Sequence, residues 1–109
     1  MEWASLIKEY EGFLKLEKGL SQNSIKAYLS DIGKLEQFLE HAGLEVGPGE
    51  MSREQLSSFL TWISELGLSA RTQARILSGV KAFYHFLLLE DLIEKDPTAL
   101  LEGPRLDSK

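Results

Sequence analysis

Apolar residues recur along this chain at intervals of three and four in four successive stretches, the period of one face of an α-helix. Over residues 3–17, Trp3, Leu6, Ile7, Tyr10, Phe13 and Leu14 form one stripe, with Glu2, Lys8, Glu9, Lys15 and Glu17 on the other side. Gly19 offers the stop, since glycine takes a positive φ without a Cβ penalty. Ser21 is suited to cap a second helix whose stripe is Ile25, Tyr28, Leu29, Ile32, Leu35, Phe38 and Leu39, closed by Gly43. The connection 44–51 holds Gly47, Pro48 and Gly49 and reads as the least structured part of the chain.

Ser52 followed by Gln55 has the spacing of a capping box, which satisfies two backbone N–H groups reciprocally at a helix start. The third stripe is Leu56, Phe59, Leu60, Ile63 and Leu66, ending at Gly67. Ser69 caps a fourth helix that buries Ile76, Val80, Phe83, Tyr84 and Leu87. Gly79 in its middle costs about 1 kcal/mol of helix propensity relative to alanine, and close packing is the better explanation than approach of a ligand. The pattern breaks at Asp91, Leu92 and Ile93 pack across a turn before Pro97, and residues 98–102 form a possible short last helix. The expected fold is all-α: a compact orthogonal bundle of four main helices with a possible short fifth, spanning residues 1–102. Residues 103–109, with Gly103, Pro104 and a polar end, read as the start of a linker to something larger.

A chain of 109 residues with 43% hydrophobic positions is long enough for one domain with a real core and not for a second of ordinary size. The absence of cysteine removes disulfides and thiolate metal sites from consideration. No apolar run approaches the roughly 20 residues of a membrane span, so no membrane partner and a cytoplasmic location are expected.

The net charge of −5 argues at first against a polyanionic partner. Its distribution changes the picture. Residues 66–89 contain Arg71, Arg75 and Lys81 and no acid, whereas residues 90–109 carry six acids against three basic residues. At 100° per residue, the outer face of the fourth helix holds Arg71, Ala74, Ser78, Lys81 and His85, with Arg75 at its edge. That of the second helix holds Asn23, Lys26, Ala27, Ser30, Lys34, Gln37 and His41 and is only mildly basic. Small residues let a helix lie close to a groove, Arg and Lys reach phosphates or guanine edges, and Asn23, Gln73 and Ser30 add shorter hydrogen bonds. By pattern alone, three basic residues on a solvent-facing helix are better read as ordinary solubilising groups.

No catalytic constellation competes with this surface. Ser21, Ser52 and Ser69 stand where caps are needed, and Tyr10, Tyr28 and Tyr84 align with apolar stripes. His41 and His85 lack metal spacing or a carboxylate partner. Asp91, Glu94 and Asp96 read as a solvated patch rather than a metal site, and Gly43, Gly47 and Gly49 lack the Lys-Ser or Lys-Thr of a phosphate loop. No metal and no cofactor are expected.

Two segments, residues 20–31 (LSQNSIKAYLSD) and 68–87 (LSARTQARILSGVKAFYHFL), together with residues 92–97 (LIEKDP), resemble the N-terminal core-binding, SAM-like domain of the phage-integrase and Xer type of tyrosine recombinase. The order and separation of these segments carry the match, which covers about residues 3–104. The resemblance implies one half of a clamp around duplex DNA, with the second and fourth helices approaching the major groove. A separate C-terminal domain would supply the catalytic residues, cutting and religating DNA through a phosphotyrosine without a nucleotide cofactor.

On the same resemblance, Ser24 matches a usual threonine near the start of the second helix, and Lys26 and Ala27 match its exposed approach to DNA. Leu29 and Ser30 depart from a frequent basic pair, and Ile76 departs from another frequently basic position although its phase places it in the core. Arg71, Thr72, Arg75, Ser78 and Lys81 keep the better match. The implied DNA-binding set is Asn23, Ser24, Lys26, Ala27, Ser30, Arg71, Thr72, Gln73, Arg75, Ser78 and Lys81. The implied partners are double-stranded DNA and other recombinase protomers, the isolated domain being monomeric and itself without cleavage or joining activity. The rival readings are a helical protein-interaction module and, less well supported by the residues, a small helical enzyme.

Overall fold

Serine caps fix where the helices begin. In the computed structural model, which describes residues 2–103, the Ser21 hydroxyl accepts from the Ser24 N–H at 3.2 Å and opens a helix over Gln22–Ala42. The Ser52–Gln55 capping box is present in both directions, at 2.9 and 3.0 Å, ahead of Arg53–Glu65. Ser69 caps Ala70–Leu89 by accepting from the Thr72 N–H at 3.1 Å. With the first helix, Trp3–Leu16, these are α1 to α4 in chain order, and the described residues contain no strand. The all-α expectation with four main helices holds.

The chain divides into two compact units at Glu50 and Met51. In the first, α1 packs on α2, and Leu6, Tyr10 and Leu14 of α1 are buried, as are Ile25, Ile32, Leu35, Phe38 and Leu39 of α2. Burial, with the Tyr28 hydroxyl and the Asp31 carboxyl nearby, pushes the Tyr10 hydroxyl above its ordinary value. Asp31 itself is buried on α2. Trp3 ties the start of α1 to the segment after α2, its Nε1–H donating to the Val46 carbonyl at 2.7 Å. That segment is less irregular than its glycines and proline imply. Pro48–Glu50 form one 3-10 turn, with the Glu50 carboxylate accepting from the Gly47 N–H at 3.0 Å.

In the second unit α3 packs on α4. α4 buries Leu77, Gly79 and Phe86 in addition to the expected Ile76, Val80, Phe83, Tyr84 and Leu87. Leu66, expected in the core, is 45% exposed, because it caps the end of α3 beyond the last buried turn. The possible short fifth helix over 98–102 is a turn at 97–100 instead. The Asp96 carboxylate accepts from both the N–H and the hydroxyl of Thr98, at 2.8 and 2.6 Å. The Ala99 and Leu101 N–H groups then bond only three residues back, so no α-helical ring closes. Asp96 is therefore a half-buried turn-former rather than part of a solvated acidic patch. The linker expected over 103–109 lies, beyond Gly103, outside the described residues.

Candidate nucleic-acid interface

α2 carries its proposed contacts on one stripe, since 23, 26, 27 and 30 are three, one and three residues apart. Asn23, Lys26, Ala27 and Ser30 are all exposed. Ser24 is half-buried and works inward, its backbone N–H and hydroxyl both bonded to the Ser21 hydroxyl. Further along, the Lys34 ammonium lies 3.5 Å from the Gln37 side-chain oxygen. No acidic residue occupies the first turn of α2, so no carboxylate there offsets the positive end of its dipole.

α4 repeats this arrangement with more charge. Arg71, Arg75, Ser78 and His85 are exposed at spacings of four, three and seven, and the first turn again has no acid. Arg71 makes no hydrogen bond or ion pair among the described residues. Arg75, placed at the edge of the face by phase, is exposed like Arg71 and Ser78. Thr72 shares the Ser69 cap, hydroxyl to hydroxyl at 3.0 Å, and Gln73 Nε2 donates to the Leu68 carbonyl at 2.9 Å. Both are half-buried and hold the α3–α4 connection in place.

Lys81 stands apart from the other cations. It is half-buried, and its ammonium donates to the Leu101 carbonyl at 2.6 Å, anchoring the segment that returns along α4. Leu101 is buried there, and a Cβ built on Gly103 would stand 3.2 Å from Leu77 Cδ2 and 3.8 Å from Ala74 Cα. One of the three ammonium protons is thereby used inside the unit. No local pattern marks this bond, which spans 20 residues.

The exposed positions thus reduce to a mildly basic stripe on α2 and an arginine-bearing stripe on α4. Among the described residues no group of His, Cys, Asp or Glu could hold a metal ion, and no helix is long and apolar enough to cross a membrane. The described residues thus form a small helical domain in which α2 and α4 have hydroxyl-capped, acid-free starts.

The comparison with known proteins makes the class specific. Residues 7–91 match the phage integrase N-terminal SAM-like domain, and the chain belongs to that family. It is similar to tyrosine recombinase XerD of Staphylococcus saprophyticus, 38% identical over 105 residues that cover 96% of this chain and 35% of that protein. Tyrosine recombinases XerD of Staphylococcus epidermidis and Staphylococcus aureus are 34% and 35% identical, with the same coverage. The chain therefore spans about a third of the length of these relatives, 35% in each case.

Proposed function

We propose that this domain binds duplex DNA as one half of the clamp of a tyrosine site-specific recombinase, and that strand cleavage and religation belong to a separate catalytic domain. Arg71 and Arg75 would contact phosphates or guanine edges, with Thr72, Gln73, Ser78 and Lys81 beside them. Asn23, Ser24, Lys26, Ala27 and Ser30 would form a weaker second contact on α2. The observation that carries this reading is the exposure of Arg71 and Arg75 on one stripe of α4, within a stretch without acids in an otherwise acidic chain. Family membership supports it. Each phosphate neutralised releases condensed counterions, so local arginines can bind DNA in spite of a net charge of −5.

Duplex binding measured at several low salt concentrations tests the assignment. Removing both charges in R71A/R75A should weaken binding about tenfold and lower the salt slope by about 2, at about 0.9 for each phosphate no longer neutralised. The same number of changes at Lys8 and Lys15, exposed on α1, should do less. Helical content must stay unchanged in both variants. Equal losses would remove the assignment to α4, and undetectable binding by the unmodified chain would favour the protein-interaction reading.

A further inference from the structure

The first unit contains a depression that the DNA reading does not use. It measures about 450 Å³ and is formed by the start of α1, the second half of α2 and the segment after α2. Four apolar side chains contribute to its lining: Leu39 is buried, and Trp3, Leu44 and Val46 are half-buried. Around these stand four exposed carboxylates, Glu2, Glu36, Glu40 and Glu45. None of the described lining residues is basic.

Solvent exposure alone does not account for the acids. α2 and α4 share a register from their serine caps, and Glu36 and Glu40 fall where α4 has buried Tyr84 and half-buried Leu88. They flank an apolar helix face, with Leu39 between them. Partial desolvation raises the Glu36 carboxyl above its ordinary value, the state that a nearby cation would relieve. Acidity is also concentrated here, since residues 1–50 hold nine acidic and five basic side chains and residues 51–109 hold eight and seven.

We infer that this groove docks a basic segment of a partner protein, a stretch with Lys or Arg on either side of an aliphatic side chain. The aliphatic group would lie against Trp3, Leu39, Leu44 and Val46, and the cations would meet the four carboxylates. The indole spends its one N–H on Val46 and presents ring surface, which attracts both alkyl groups and cations. Charge complementarity selects the occupant: like charges would exclude nucleic acid or an acidic segment. The groove residues of α2, Glu36, Leu39 and Glu40, lie in the second half of the helix, beyond Ser30, the last of the proposed DNA contacts on it. Partner docking is thus independent of the proposed DNA contact.

The test is a titration of the ¹⁵N-labelled 109-residue chain at low salt, followed by NMR. The probe is an acetylated, amidated peptide with four lysines around two central leucines. Shifts should centre on the Trp3 indole N–H, Leu39 and residues 44–47. Replacing the peptide leucines by serine should weaken binding about fivefold, as should E36Q/E40Q in the protein. Should that variant lose helical content, E45Q is the substitute, with a smaller loss expected. R71A/R75A should leave peptide binding unchanged, which separates this inference from the DNA assignment. Equal affinity for the leucine and serine peptides, equal affinity of parent and glutamine variants, or shifts spread over acidic residues elsewhere would each overturn the proposal. Concentration-dependent self-association abolished by E36Q/E40Q would also overturn it, by naming a second copy as the occupant.

Discussion

The second helix of each unit follows the same plan, and the two differ most where they face outward. Counted from the serine caps Ser21 and Ser69, α2 and α4 place Ser24 with Thr72, Leu29 with Leu77, and Ser30 with Ser78. Inward positions coincide as buried pairs: Ile32 with Val80, Leu35 with Phe83, Phe38 with Phe86 and Leu39 with Leu87. Even the exits agree, since Leu44 N–H reaches Leu39 O and Leu92 N–H reaches Leu87 O, both at 2.9 Å. Outward, Asn23, Lys26 and Ala27 correspond to Arg71, Ala74 and Arg75 in the same register. The cap sets the start and the start sets the phase, so the two helices share most of their buried positions while their exposed stripes differ in charge. The proposed DNA contact rests on this outward difference in charge.

If the inward halves are equivalent, truncating them should hurt alike. Phe83→Ala should cost about 3 to 5 kcal/mol and Leu35→Ala about 2 to 5 kcal/mol, both side chains being fully buried. Denaturant unfolding measures both. A cost below about 0.5 kcal/mol for either would break the equivalence.

Some inward positions are unlike, among them Asp31, buried in α2 where α4 has buried Gly79. Asp31 belongs to the setting that raises the Tyr10 hydroxyl. Because the folded value lies above the unfolded one of about 10, the unfolded chain loses its proton first. This contribution to stability is intact below about pH 10 and declines above it, by at most about 1.4 kcal/mol per pH unit. Tyr10→Phe should flatten the decline between pH 10 and 11, and an unchanged slope would assign it to other groups.

The caps give a smaller and more symmetrical comparison. Ser21→Ala and Ser69→Ala should each cost about 1 kcal/mol, since each leaves one helix-start N–H without its acceptor. A difference of more than about 1 kcal/mol between them in thermal or denaturant unfolding would show that the two starts are not held alike.

Local chemistry explains what was legible in the sequence. Ser21, Ser52, Ser69, Gly43 and Gly67 mark helix ends through bonds and dihedrals within a few residues, so they are readable without a fold. The buried phases of Ile76 and Phe83 follow from the same periodicity. Leu66 misled because a stripe does not say where its last turn loses cover. The 97–100 turn was hidden because the Asp96 carboxylate competes for the backbone groups a helix would use. Within the candidate site, exposure of Arg71, Arg75 and Ser78 was readable from phase. The engagement of Lys81 with Leu101 and the acidic groove around Trp3 were not, since each joins residues distant in sequence.

The helix exits provide the finest comparison and the smallest effect. Gly43 and Asp91 occupy the same position after α2 and α4, with φ of 69° and 57°, and Asp91 is the sole non-glycine residue with positive φ among those described. The N–H of Asp91 bonds Leu88 O and that of Leu92 bonds Leu87 O, the paired pattern that closes a helix through a left-handed residue. Aspartate tolerates this conformation better than most residues with a Cβ, yet glycine holds it without steric cost. Glycine also adds freedom to the unfolded chain, which takes back part of the gain. Asp91 is exposed, so no packing is lost on its removal. Its negative charge at the helix C-terminus is unfavourable with the dipole, and Asp91→Gly removes that too. The substitution should stabilise the domain by about 0.5 to 1 kcal/mol, whereas Gly43→Ala should destabilise it by about 1 kcal/mol. Denaturant midpoints at constant slope measure both, and a destabilising Asp91→Gly would show that the carboxylate, not the backbone, holds the end of α4.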